Sequence, residues 1–104
     1  MSHNRLTPRQ GLIHDASRML VARYGVCSES NYRQNVWSVI DKCTVNYPKR
    51  KQYIASMRPG SLAAIRLYNA IAREAYQHML STTPPAMRGM VKRHVCEGDS
   101  GYWK

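Results

Sequence analysis

The sequence predicts an all-α domain, a small bundle of four to five helices, on three observations. Apolar residues recur at spacings of three and four instead of alternating, so the strand signal is nearly absent. Residues that cap helix N-termini stand where the apolar stripes begin. Prolines fall at the ends of the stripes and not in their middles.

The first helix is predicted over 8–24. Thr7-Pro8-Arg9-Gln10 joins an N-cap Thr, a Pro at the first helical position and a Gln three after the cap. Leu12, Ile13, Ala16, Met19, Leu20 and Tyr24 then share one face, with His14, Asp15 and Arg18 away from it. Gly25 takes the position where a positive φ ends a helix. The second helix is predicted over 31–46, with its cap supplied between Ser28 and Asn31. Its stripe is Tyr32, Val36, Val39, Ile40, Cys43 and Tyr47, opposite Gln34, Ser38 and Asp41. Pro48 disfavours helical geometry at Tyr47 and ends it.

A third helix, over 49–57, carries Lys49, Arg50 and Lys51 in its first turn and stops at Arg58-Pro59-Gly60. The helix N-terminus is already positive, so each cation there costs about a few tenths of a kcal/mol and invites an anion. Ser61 caps the longest helix, over 62–80. There Ile65, Tyr68, Ile71, Ala72, Ala75, Tyr76 and Met79 make a wide apolar arc, and Arg66, Asn69, Arg73 and Gln77 fill the remaining seam. Thr82-Thr83-Pro84-Pro85 breaks the chain again. A short, poorly patterned basic helix can follow over 86–95, which makes 1–95 one helical domain and 96–104 a flexible C-terminal tail.

Charge narrows the partner. Of sixteen Lys and Arg, nine lie between Lys49 and Arg93 against a single acid, Glu74, so this stretch carries a surplus of eight of the formal +10. A field of that sign and density draws polyanions. At 104 residues with 43% apolar content the chain is one globular domain, not a disordered basic tail. Phe is absent, so seven Tyr and two Trp supply the aromatic burial. No apolar run approaches the roughly 20 residues of a membrane span, and the first residues lack the apolar stretch of a secretory signal. Cys27, Cys43 and Cys96, odd in number and irregularly spaced, read as reduced thiols in a cytoplasmic protein.

The contact residues expected for nucleic acid follow from the same pattern. Lys49, Arg50, Lys51 and Arg58 make a first patch; Arg66, Asn69, Arg73 and Gln77 extend it; Arg88, Lys92 and Arg93 close over the strand. Arg suits phosphate or guanine, and Asn and Gln suit adenine edges. The third and fourth helices, joined through Arg58–Ser61, have the order of a helix-turn-helix. The residues that would reach bases are Leu62, Ala63, Ala64 and Ile65, which have almost no hydrogen-bonding capacity. Phosphate contact with little base selection fits better, and six engaged cations would give a salt slope of about −5 on duplex DNA.

Catalysis is not expected. The carboxylates Asp15, Glu29, Asp41, Glu74, Glu97 and Asp99 fall at no spacing that pairs them for acid–base or metal work. Cys96-Glu97-Gly98-Asp99-Ser100-Gly101 resembles the Cys-x-Gly-Asp-Ser-Gly around the nucleophile of trypsin-like serine proteases. The resemblance covers nothing else: Tyr102 replaces the Gly that normally follows, and the strands that would hold a triad are missing, so it implies no protease activity. His94 and Cys96 with Cys27 or Cys43 lack the close-spaced pairs of zinc sites, so no metal and no cofactor is assigned. His78, one turn after Glu74, reads as a half-buried, satisfied imidazole.

The function expected from sequence is thus a small non-enzymatic basic protein, regulatory in role, that binds DNA or RNA through phosphates. The alternative is a protein-binding modulator, an inhibitor or adaptor, whose basic face docks on a nucleic-acid-processing enzyme or other acidic surface. In that case Tyr102 and Trp103 serve as partner-binding anchors; otherwise they complete the core or stack on a base. A homo-oligomer is compatible with either reading.

Overall fold

The computed structural model describes residues 6–83. They form five helices: α1 (Pro8–Tyr24), α2 (Glu29–Gln34), α3 (Trp37–Thr44), α4 (Pro48–Ala55) and α5 (Leu62–Thr82). No strand occurs among the described residues. The expected helix over 86–95 and the tail over 96–104 lie outside them. No described helix is long and apolar enough to cross a membrane.

Local chemistry sets the helix ends. Thr7 and Gln10 close a reciprocal capping box: Thr7 Oγ1 accepts from the Gln10 amide at 3.1 Å, and the Thr7 amide donates to Gln10 Oε1 at 3.0 Å. Gly25 ends α1 with φ +65°, a conformation that L side chains resist. Ser28 Oγ accepts from the Asn31 amide and Ser61 Oγ from the Ala64 amide, so both Ser residues act as N-caps. Tyr47 is extended at φ −133°, ψ 86° ahead of Pro48, as the residue before proline must be.

The second predicted helix needs correction. The 31–46 segment is two helices, beginning at Glu29 and bent at Asn35–Val36. Asn35 leaves helical geometry at φ −107°, ψ 7°, and its side-chain Nδ2 donates to the Asn31 carbonyl at 2.8 Å. That bond competes with the helical ladder, which tightens here to i−3 bonds at Asn35, Ser38 and Val39. The apolar spacing runs through the bend undisturbed, because Tyr32, Val36, Val39, Ile40 and Cys43 are all buried. Tyr47, the last residue of the predicted stripe, lies beyond the end of α3 and is 46% exposed.

α1 and α5 form the most extensive pairing, with α2 along α5 and α3 along α1. Leu12, Ala16 and Leu20 of α1 meet Ala64, Leu67, Ile71, Ala72, Ala75 and Met79 of α5 in one core. Removing a side chain such as Leu20 should cost about 2–5 kcal/mol. The buried arc of α5 is centred on Leu67 and Ile71, so Ile65, expected inside it, sits at its edge and is 39% exposed. α4 has no fully buried residue; it leans on α1 and α3 through Tyr53 and Ile54, consistent with a short basic connector.

Candidate nucleic-acid interface

The expected first patch divides. Lys49, Arg50 and Lys51 are consecutive on α4, so their side chains leave the helix about 100° apart. Lys49 and Lys51 are exposed. Arg50, lying between them, turns inward: its side chain is only 13% exposed. Arg50 Nη1 donates to Asp15 Oδ2 of α1 at 2.7 Å and to the Cys43 carbonyl at 3.0 Å. Its guanidinium also sits 3.8 Å from the Tyr47 ring centroid. Arg50 thus ties α1, α3 and α4 together and is not displayed with its neighbours.

Arg50 packs its guanidinium directly against Gly11. A Cβ placed there would lie 2.6 Å from Arg50 Nη2, far inside van der Waals contact. Gly11 thus leaves the room that the Arg50 guanidinium occupies. Burial works to raise the pKa of Asp15, but hydrogen bonds from His14 and Arg50 and the Arg50 charge outweigh it and hold the carboxyl below its ordinary range. Burial, aided by the Asp15 charge, raises the neighbouring Cys43 thiol against the opposing pull of Arg50. Cys43 is therefore a buried, protonated thiol and a poor nucleophile.

On α5, Arg66 and Arg73 stand seven residues apart, two turns and about 10.5 Å along one exposed face, with Gln77 beyond them. Asn69 belongs to the same face, but its Oδ1 accepts from Arg33 Nε of α2 at 2.8 Å. The amide oxygen needed for an adenine edge is thus engaged within the fold. Arg58 is exposed in the turn before α5. Glu74, the acid of the basic stretch, pairs with Arg18 of α1 at 3.3 Å. Lys49, Lys51, Arg58, Arg66 and Arg73 are in no ion pair among the described residues. Arg88, Lys92, Arg93, Tyr102 and Trp103 lie outside the described residues.

Two residues, one bonded to Asn69 and one beside Arg58, were not singled out by sequence reasoning. Arg33 stacks over Tyr68, its guanidinium carbon 5.1 Å from the ring centroid. Trp37, the first residue of α3, meets the same ring edge-on at 4.8 Å and an interplanar angle of 62°. The indole is 52% exposed. It borders a cavity of about 180 Å³ enclosed with Ile54, Met57, Arg58, Pro59, Ala64 and Tyr68. The available signal was the aromatic itself: Trp37 falls off the apolar stripe of its own helix. His78 is half-buried on α5, and Glu74 turns to Arg18.

A second cavity, about 530 Å³, opens where the starts of α1 and α4 meet, between Leu6, Pro8, Tyr47, Lys49 and Arg50. No family model, curated protein sequence or solved structure matches this chain significantly.

Proposed function

We propose that this protein is a small, cytoplasmic, non-enzymatic nucleic-acid-binding protein of regulatory role that grips the phosphate backbone. The observation that carries the reading is the state of its cations. Lys49, Lys51, Arg58, Arg66 and Arg73 are exposed and unspent on carboxylates among the described residues, while Glu74 is taken by Arg18 from another helix. Ordinary surfaces interleave the two signs, whereas here the one acid between Lys49 and Thr83 is paired with a cation of another helix. Phosphate contacts need only such donors, and they carry no sequence information.

The test is a binding titration against a duplex of arbitrary sequence over a range of salt. With five phosphates engaged, log K falls against log salt with a slope of about −4 to −5. A slope near zero rejects the reading. The protein-modulator reading draws support from Leu62 and Ile65, which are 60% and 39% exposed beside Arg66 on α5. Gel filtration of the complex from its host, with and without nuclease, separates the two. Survival of one defined partner protein after nuclease favours the modulator; loss of the complex favours nucleic acid.

A further inference from the structure

We propose that the cavity beside Trp37 and Tyr68 receives one unpaired base of a single-stranded nucleic acid, with Arg58 and Arg33 on the flanking phosphates. The inference rests on the phosphate-binding reading above and adds to it a preference for single strands.

The bend at Asn35–Val36 lies immediately before Trp37, whose indole is about half exposed. The indole packs against Tyr68, itself only 7% exposed, in a T-shaped contact. The opposite wall comes from the turn after α4. Met57 and Pro59 line it, and Gly60 reverses the chain with φ +76°. The result is a half-exposed aromatic with a recess beside it, an arrangement on which bases can stack irrespective of sequence.

Size and charge select the occupant. At about 180 Å³ the recess is smaller than the roughly 300–1,000 Å³ that drug-sized ligands need, so it has room for one group the size of a single ring system. No carboxylate lines it; Arg58 does, and Arg33 lies over the Tyr68 ring. An apolar side chain from a protein brings no negative charge to pair with the two guanidinium groups, whereas a base arrives with a phosphate on each side. A base stacked inside a duplex cannot enter without being unpaired and turned out of the helix, which costs free energy. The recess therefore discriminates by strandedness.

The test uses the full chain carrying Trp103→Phe, which leaves Trp37 the sole indole. Oligothymidylate and oligouridylate of about 12 nucleotides, the matching duplex, and an acidic peptide containing Phe are each titrated while the indole emission is followed. Either single strand should quench Trp37. With binding read instead from the anisotropy of labelled oligonucleotides, Trp37→Ala should weaken single-strand binding by at least about fivefold and leave duplex binding unchanged, and Trp37→Phe should restore most of the loss. Circular dichroism confirms that each variant is folded, and Arg58→Ala, at an exposed turn position, should weaken binding to both nucleic acids but to the single strand more. If single strand and duplex bind alike, with emission unmoved and Trp37→Ala silent, the inference is overturned and the phosphate reading stands. Quenching by the peptide alone overturns it in favour of a protein partner. Absence of salt-sensitive binding to either nucleic acid overturns both.

Discussion

Arg50 of α4 donates to Asp15 of α1 across 2.7 Å, and the same nitrogen reaches the Cys43 carbonyl at 3.0 Å. One guanidinium therefore joins three helices, one of which, α4, has no fully buried residue of its own. Arg50→Ala should cost about 1.5–3 kcal/mol, since the bonds it removes are charge-assisted and sheltered. For a domain of this size each kcal/mol lowers Tm by about 4–8 °C. Lys49→Ala and Lys51→Ala, on either side, should fall within about 0.5 kcal/mol of wild type. Thermal unfolding of the three variants measures the contrast, and equal behaviour would show that Arg50 is not the tie.

Gly11 and Arg50 should be coupled. Alanine in a helix is favoured over glycine by about 0.8–1 kcal/mol, so Gly11→Ala alone has a gain to offer. In the wild-type background the new methyl meets Arg50 Nη2 at 2.6 Å and must displace a guanidinium held by Asp15 and Cys43. Gly11→Ala should thus be neutral or destabilising in wild type and stabilising by about 0.5–1 kcal/mol once Arg50 is Ala. A double-mutant cycle in urea reads the coupling, and strict additivity would contradict the packing described.

The acid limb of stability should carry the signature of Asp15. Its folded pKa lies below the ordinary value of 3.8, held there by His14 and Arg50 against the effect of burial. A depressed folded pKa means that the unfolded chain binds the proton first, so the stabilisation is complete above about pH 4 and is lost as pH falls through the folded value. Asp15→Asn should lower Tm at neutral pH and flatten the fall in Tm below pH 4. A wild-type acid limb retained in full by Asp15→Asn would assign that limb to other carboxylates.

Much of this was legible in the sequence, and what was not has definite causes. Thr7, Gly25, Ser61 and Pro48 act through the nearest few residues, so their signals are local and the helix ends they set were readable. The bend at Asn35 was hidden because apolar spacing persists through it; only the Asn31 carbonyl captured by the Asn35 side chain reveals it. Arg50 looked like Lys49 and Lys51 because its partner lies 35 positions away, where no local pattern reaches. Asn69 looked like a free amide for the same reason, its partner Arg33 being 36 positions distant. Arg33 itself escaped notice because it stands outside the dense run that begins at Lys49.

Tyr32 is fully buried, and its hydroxyl donates to the carbonyl of Gly25, the residue that ends α1. Burial, with Cys27 adding to it, raises the phenol pKa well above the tyrosine range, so the group stays a donor throughout ordinary pH. Tyr32→Phe keeps the ring in the core and removes only that bond, at a cost of about 1 kcal/mol. The loss should be accompanied by faster amide exchange in the last turn of α1, where the Gly25 amide bonds to the Val21 carbonyl at 2.8 Å.

The cations themselves can be sorted by salt dependence. Each Lys or Arg that neutralises a phosphate contributes about −0.9 to the slope of log K against log salt. Arg66→Ala and Arg73→Ala, on the open face of α5, should each make the slope less steep by about one and weaken binding to all sequences alike. A variant at Arg50 that remains folded at the assay temperature should leave the slope where it was, because its charge is already spent on Asp15. The comparison must be made well below the lowered Tm of that variant, so that lost binding is not mistaken for lost structure. A slope change at Arg50 equal to that at Arg66 would mean the guanidinium abandons Asp15 when a phosphate arrives, and the division of the basic patch into structural and displayed members would fall.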